Sequence, residues 1–318
     1  MRSNKARSFG IFALAILLVF VSFGCVGKNG SNVSYSMNDG AIIKSFSFDR
    51  PSVYDDTDIG LTLSIADVGA KKINGDTYVY IYGPPITDKK DNPYEWRLLS
   101  SQIPLAENGN YLEKVLKSEE FLPPDPEEGI PGTQYIFYAD LMPPKVPSGM
   151  QTSYTFYARL CYPYYTTTLS VVTVTSENEL RYQELKSTKA ETRNSAGPIH
   201  IILQGPGNLR SGIGTIPLVF KIINVGKGFP TLPDVPCNPN VPALDRNKVK
   251  VSVYVDGNPV PDCVNKVVHI RPDGVGYLYC MYSFSTKTPE TEFHILAKAE
   301  YKYYVTTQTK IVVKSTPQ

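Results

Sequence analysis

The sequence predicts an all-β protein built as two tandem antiparallel β-sandwiches, and three observations predict it. One phrase occurs twice, as LTLSIADVG (Leu61 to Gly69) and LVFKIINVG (Leu218 to Gly226), with apolar residues at every second position and an Asp/Asn-Val-Gly ending. A second pair follows: FYARLCYPYYTTTLSVVTV (Phe156 to Val174) and ILAKAEYKYYVTTQTKIVV (Ile295 to Val313). They match at Ala158/Ala297, Tyr162/Tyr301, Tyr164/Tyr303, Tyr165/Tyr304 and Thr167/Thr306, always 139 positions apart. Third, short β-branched and aromatic runs broken by Gly, Pro, Asn or Asp recur along the chain, and no long stretch keeps a helical period. Self-similarity of this kind marks repeated modules rather than one large domain.

Taken in order, the chain opens with Arg2, Lys5 and Arg7, then an apolar run from Phe9 to Phe23 interrupted only by Gly10 and Ser22. A basic start, an apolar stretch and a small-residue boundary describe a secretory signal or membrane anchor over residues 1–25. The charges before the run put the N-terminus inside and the rest outside the cell. Gly24-Cys25 also looks like a lipidation site, which makes Cys25 the candidate lipid anchor. Phe23 and Ser22 depart from the usual residues before such a cysteine. Residues 26–39 read as a polar tether. It carries the glycosylation triplets at Asn29 and Asn32.

The first module is expected over 40–177. Its strands are AIIKSFSF, GLTLSI, TYVYIYG, TQYIFYADL, SYTFYARL and LSVVTVT. Between 84 and 133 the strand signals fade into a long Pro-rich loop that holds Trp96, a possible helix from Glu113 to Glu120, and the acidic cluster Asp125, Glu127 and Glu128. Long loops of this kind are often functional. Residues 178–196 are charged and poor in apolar residues, and read as a linker. The second module spans 197–316. In KVKVSVYV, Val249, Val251, Val253 and Val255 share one face while Lys248, Lys250 and Ser252 share the other, the sign of a sheet buried on one side.

Composition narrows the function. A chain of 318 residues with 42% hydrophobic content has enough for real cores, and 32 basic against 30 acidic residues give no case for nucleic acid. Export permits disulfides. Cys263 and Cys280 flank a hairpin with a turn near Asp273-Gly274 and are the preferred pair; Cys237 remains an alternative partner for either. Cys161 reads as a small buried hydrophobe. No CxxC, GxSxG or complete phosphate-loop motif occurs, and His200, His269 and His294 lie on separate strands. No cofactor, metal site or catalytic residue is therefore expected.

The repeated phrase resembles the core strand of immunoglobulin-like domains from prokaryotic surface proteins, the CARDB-type and archaeal S-layer-associated modules. Leu61, Leu63, Ile65, Asp67, Val68 and Gly69 carry the resemblance, and so do Leu218, Phe220, Ile222, Asn224, Val225 and Gly226. The resemblance implies an immunoglobulin-like sandwich and a role in adhesion, surface-layer attachment or spacing. The Gly ends are expected to turn with positive φ. Tyr162, Tyr164, Tyr165, Tyr301, Tyr303 and Tyr304 form the candidate interaction surface, since aromatics at strand ends stack on sugars or enter protein interfaces. A tyrosine near a sandwich corner also ties loops down, and the repetition of the cluster favours that role.

The sequence thus points to a cell-surface or secreted, non-enzymatic protein. It is held at the outer face of the cytoplasmic membrane through its N-terminus and binds a protein or glycan. The alternatives are a lipoprotein capturing a sugar or peptide, and a filament subunit that donates a strand. A third is a hydrolase built from the long loop. The oligomeric state is not specified by the sequence.

Overall fold

A computed structural model describes residues 33–89, 92–107, 110–176, 189–210, 215–284 and 288–317. The signal or anchor over 1–25, Cys25, Asn29, Asn32 and most of the expected linker lie outside the described residues.

The described residues form strands and short turns with no α-helix. The first half contributes β1 (Ala41–Phe48), β2 (Ser52–Tyr54), β3 (Ile59–Asp67), β4 (Thr77–Tyr82), β5 (Ile86–Thr87), β6 (Trp96–Ser101), β7 (Leu112–Leu116), β8 (Gln134–Met142) and β9 (Gln151–Thr175). The rest are β10 (Glu191–Asn194), β11 (Ile199–Gln204), β12 (Asn208–Arg210), β13 (Thr215–Asn224), β14 (Phe229–Thr231), β15 (Lys248–Val255), β16 (Asn258–Pro259), β17 (Lys266–His269), β18 (Val275–Ser283) and β19 (Glu290–Lys314).

Three sheets result. One runs β1-β3-β8-β6-β5, another β11-β13-β18, and a large eleven-stranded sheet follows the path β16-β15-β19-β9-β4-β7. The two copies of the repeated phrase occupy equivalent places: β3 between β1 and β8, β13 between β11 and β18. Their inward residues Leu61, Leu63, Ile65, Leu218, Phe220 and Ile222 are buried. The four alternating valines of β15 are fully buried too.

The second repeat pair makes the junction. β9 and β19 pair antiparallel over 25 residues, from Gln151↔Lys314 to Thr175↔Glu290. Pro163 lies opposite Lys302, and these two are also 139 positions apart, the repeat offset. The halves are therefore related by a local pseudo-two-fold axis through that pair. The pairing has the isologous form of a two-fold contact, residue i against j and the equivalent of j against the equivalent of i.

Several expectations need correction. Trp96 lies on β6, not in a loop, because β6 pairs with the edge of β8. The helix expected from Glu113 to Glu120 is absent. Leu112–Leu116 is strand β7, which pairs with β4 and buries Leu112 and Leu116. Part of the expected linker is strand β10, which pairs with Thr168–Val171 of β9. The described end of the tether is docked: Ser36 bridges Gly69, and the Gly197 N–H donates to the Met37 carbonyl at 2.9 Å. Gly69 and Gly226 are not among the glycines with positive φ. They are needed for close approach instead. A Cβ on Gly69 would sit 2.9 Å from the Asp39 carbonyl oxygen, and one on Gly226 would sit 2.7 Å from Pro198 Cβ and collide with the Tyr303 hydroxyl.

Candidate interaction site

Side chains alternate faces along a strand, so the register of β9 on β19 decides where the repeated tyrosines point. Tyr162 stands opposite Tyr303, and Tyr164 opposite Tyr301. All four turn inward and are buried. Their ring centroids close a cycle: 5.9 Å from Tyr162 to Tyr164, 6.3 Å on to Tyr301, 6.2 Å on to Tyr303, and 6.0 Å back to Tyr162. Each hydroxyl is bonded. Tyr162 accepts from the Gly40 N–H at 3.2 Å. Tyr164 donates to the Lys71 carbonyl at 3.3 Å. Tyr301 meets the Thr166 hydroxyl at 2.8 Å. Tyr303 accepts from the Gly228 N–H at 2.7 Å and donates to Asn224 Oδ1 at 2.9 Å. Burial pushes all four phenols above their ordinary range. These four residues are a core quartet at the pseudo-two-fold and do not form an exposed surface.

Tyr304 points to the opposite face of the large sheet and is also buried. The Arg159 guanidinium carbon sits 4.6 Å from its ring centroid, and the guanidinium N–H groups donate to the carbonyls of Cys237 and Asn238 and to the Tyr82 hydroxyl. A disulfide joins Cys161 to Cys237, with Cα atoms 6.2 Å apart. Cys161 is thus a cross-half staple rather than a free buried hydrophobe, because its outward position on β9 faces the loop that Arg159 also holds. The second bridge joins Cys263 to Cys280, with Cα atoms 5.8 Å apart.

Only Tyr165 of the six tyrosines stays partly exposed. Lys71 Nζ lies 2.9 Å from its ring centroid and donates to its carbonyl at 2.8 Å. Lys298 Nζ lies 5.2 Å from the same ring and pairs with Glu300 at 2.7 Å. Burial, with the Lys298 charge added, brings the Lys71 amine down to about 8. Among the described residues no carboxylate forms an ion pair with Lys71. Beside it opens a groove of about 530 Å³, walled by Tyr35 and Met37, by Ala70, by Pro124, Pro126 and Glu127, and by Ser195 and Ala196. Nothing in the sequence marks Lys71, since a lysine after a strand reads as solvent-facing.

The acidic loop has an internal use. Asp125 Oδ1 accepts from the N–H groups of Glu127 at 3.0 Å and Glu128 at 3.2 Å, and so closes the turn. Among the described residues no group of His, Cys, Asp and Glu is arranged to hold a metal. A further surface lies on the outer face of the β11-β13-β18 sheet. There Tyr277, Tyr279 and Met281 are exposed, and the two rings stack at 6.5 Å.

No family model matches the chain, and no curated protein matches it. Among solved structures it is similar to BcpA, the major pilin subunit of Bacillus cereus, at 9% identity and a TM-score of 0.22, over 80% of this chain and 66% of that one. For a variant of that subunit the values are 11%, 0.23, 78% and 60%. The collagen adhesin of S. aureus is similar at 8% identity and a TM-score of 0.14, over 89% of this chain and 96% of that one. The chain spans less than two thirds of the length of the two pilin chains. At such TM-scores these likenesses assign neither a fold nor a role.

Proposed function

We propose that the protein is a membrane-anchored, extracellular, non-enzymatic surface protein that acts in adhesion or scaffolding by binding a protein or glycan. The observation that supports this most is the pair of disulfides, Cys161–Cys237 and Cys263–Cys280, in an all-β body. Such bridges persist in oxidising compartments and are rare in the cytosol. The basic and apolar N-terminal run is the matching export signal. The groove beside Lys71 supports the alternative of ligand capture from outside the cell.

The test is surface labelling of intact cells with a membrane-impermeant biotin reagent, followed by intact-mass measurement without reduction. The expected result is a labelled, membrane-associated protein with four cysteines oxidised in two bridges. A protein that labels only after lysis and carries free thiols would overturn the reading.

A further inference from the structure

Two ammonium groups share one tyrosine ring beside an open groove, and among the described residues only Lys298 has a carboxylate partner. Lys71 is half-buried, and among the described residues its ammonium donates one hydrogen bond, to the Tyr165 carbonyl. Its depressed basicity reports that its charge is held against both burial and a like charge. An anion placed in the groove would relieve both costs. Perturbed groups of this kind in a cleft mark binding sites.

The groove walls supply the rest of the chemistry. Tyr35 and Met37 are about half-exposed, and Pro124 and Pro126 add an apolar rim. The Ser195 hydroxyl oxygen accepts from the Thr167 N–H at 3.0 Å, so its own proton points elsewhere. Side chains and short loop segments line the groove, so a peptide backbone would find no open strand edge to extend. A pyranose needs none: its C–H face stacks on an aromatic ring, and its hydroxyls and carboxylate take donors. We propose that this groove binds an acidic polysaccharide, with a uronate carboxylate on Lys71 and a sugar face against Tyr35. The proposal rests on the surface-protein reading above and names the partner class for it.

Other charged groups face the site. Glu127 stands on the rim, and Glu300 pairs with Lys298 at 2.7 Å. Asp67, near Tyr164, is raised by burial to about 7 and gains charge as pH rises. Burial raises the Tyr164 phenol, so it carries no charge near neutral pH, and the Asp67→Asn variant separates the Asp67 response from that of Lys71.

The experiment measures binding of the purified protein to immobilised polygalacturonate, with dextran as the neutral glycan and poly-glutamate as the acidic peptide. Binding to polygalacturonate is expected at pH 6.5, weakening with added salt and becoming about tenfold weaker at pH 9 as Lys71 loses its proton. Lys71→Gln should lose at least about tenfold at pH 6.5. Lys71→Arg should bind at both pH values, which separates charge from packing, and Asp67→Asn should keep the pH 9 loss. No binding to polygalacturonate, equal binding to dextran, tighter binding to poly-glutamate, or an unchanged Lys71→Gln variant of wild-type melting temperature would each overturn the proposal. If the protein is surface-labelled and oxidised yet fails here, only this inference falls.

Discussion

The two copies of the repeated phrase solve one backbone problem with different side chains. Val68 donates to the Gly40 carbonyl and Val225 to the Pro198 carbonyl, each at 2.9 Å, so the chain leaves both strands the same way. Asn224 then completes a closed set: its Oδ1 takes the Tyr303 hydroxyl, and its Nδ2 donates to the Gly228 carbonyl at 2.8 Å. Asp67 does less. Its Oδ1 accepts from the Gly69 N–H at 3.0 Å, while Oδ2 is buried with no partner. Tyr164, the equivalent of Tyr303, donates instead to the Lys71 carbonyl, and Lys71 is the equivalent of Gly228. The glycine is demanded by sterics in both halves. The polar satisfaction is not, and the first half carries an acid where the second carries an amide. An orphaned buried oxygen costs more than a lost hydrogen bond gains.

The bridges give the largest test of this asymmetry. The second half has an internal bridge spanning 17 residues, whereas the first half is tied across the junction by a bridge spanning 76. Removing Cys161–Cys237 with paired alanines should cost about 4 kcal/mol, and removing Cys263–Cys280 about 1 kcal/mol less, on loop entropy. Denaturant titration reads both, and the reverse order would show that the junction holds without its staple.

Asp67→Asn comes next. The folded-state pKa of Asp67 is raised from 3.8 to about 7, so its contribution is fully present below pH 4 and lost as pH rises towards 7. The variant should flatten the stability profile over that window and gain about 2 kcal/mol at pH 8. Thermal melts across pH check it, and a wild-type profile with no slope between pH 4 and 7 would refute the buried acid.

The smallest effect sharpens the same contrast. Tyr303→Phe leaves Asn224 Oδ1 and the Gly228 N–H without their hydroxyl, and should cost about 2 kcal/mol. Tyr164→Phe strands only the Lys71 carbonyl and should cost about 1 kcal/mol or less. Equal losses would mean that the two ends of the quartet are bound alike.

Much of the fold was legible because period-two patterns report burial directly. The four valines of β15 and the inward residues of β3 and β13 are where alternation puts them. Pairing across the junction was not legible. Alternation says that Tyr162 and Tyr164 share a face, but not that the facing strand is the other copy, since register is a long-range property. The strands β6 and β7 were hidden by the prolines around them and by Trp96, whose burial comes from Phe48 and Phe156 far away in sequence. The site was least legible of all. Lys71, Tyr35 and Ser195 are brought together only by the docking of three loops. The bond of Cys161 to Cys237 likewise depends on a loop folding back on the sheet.

Because β19 pairs with β2, β9, β14 and β15, strands from both halves wait for a segment that is synthesised after all of them. Until it arrives, β9 presents a bare edge on the side that β19 will occupy, an invitation to pair with a neighbouring molecule. Synthesis and export both run from the N-terminal side, so β9 exists before its partner does. Deleting β19 would therefore strip pairing from both halves at once.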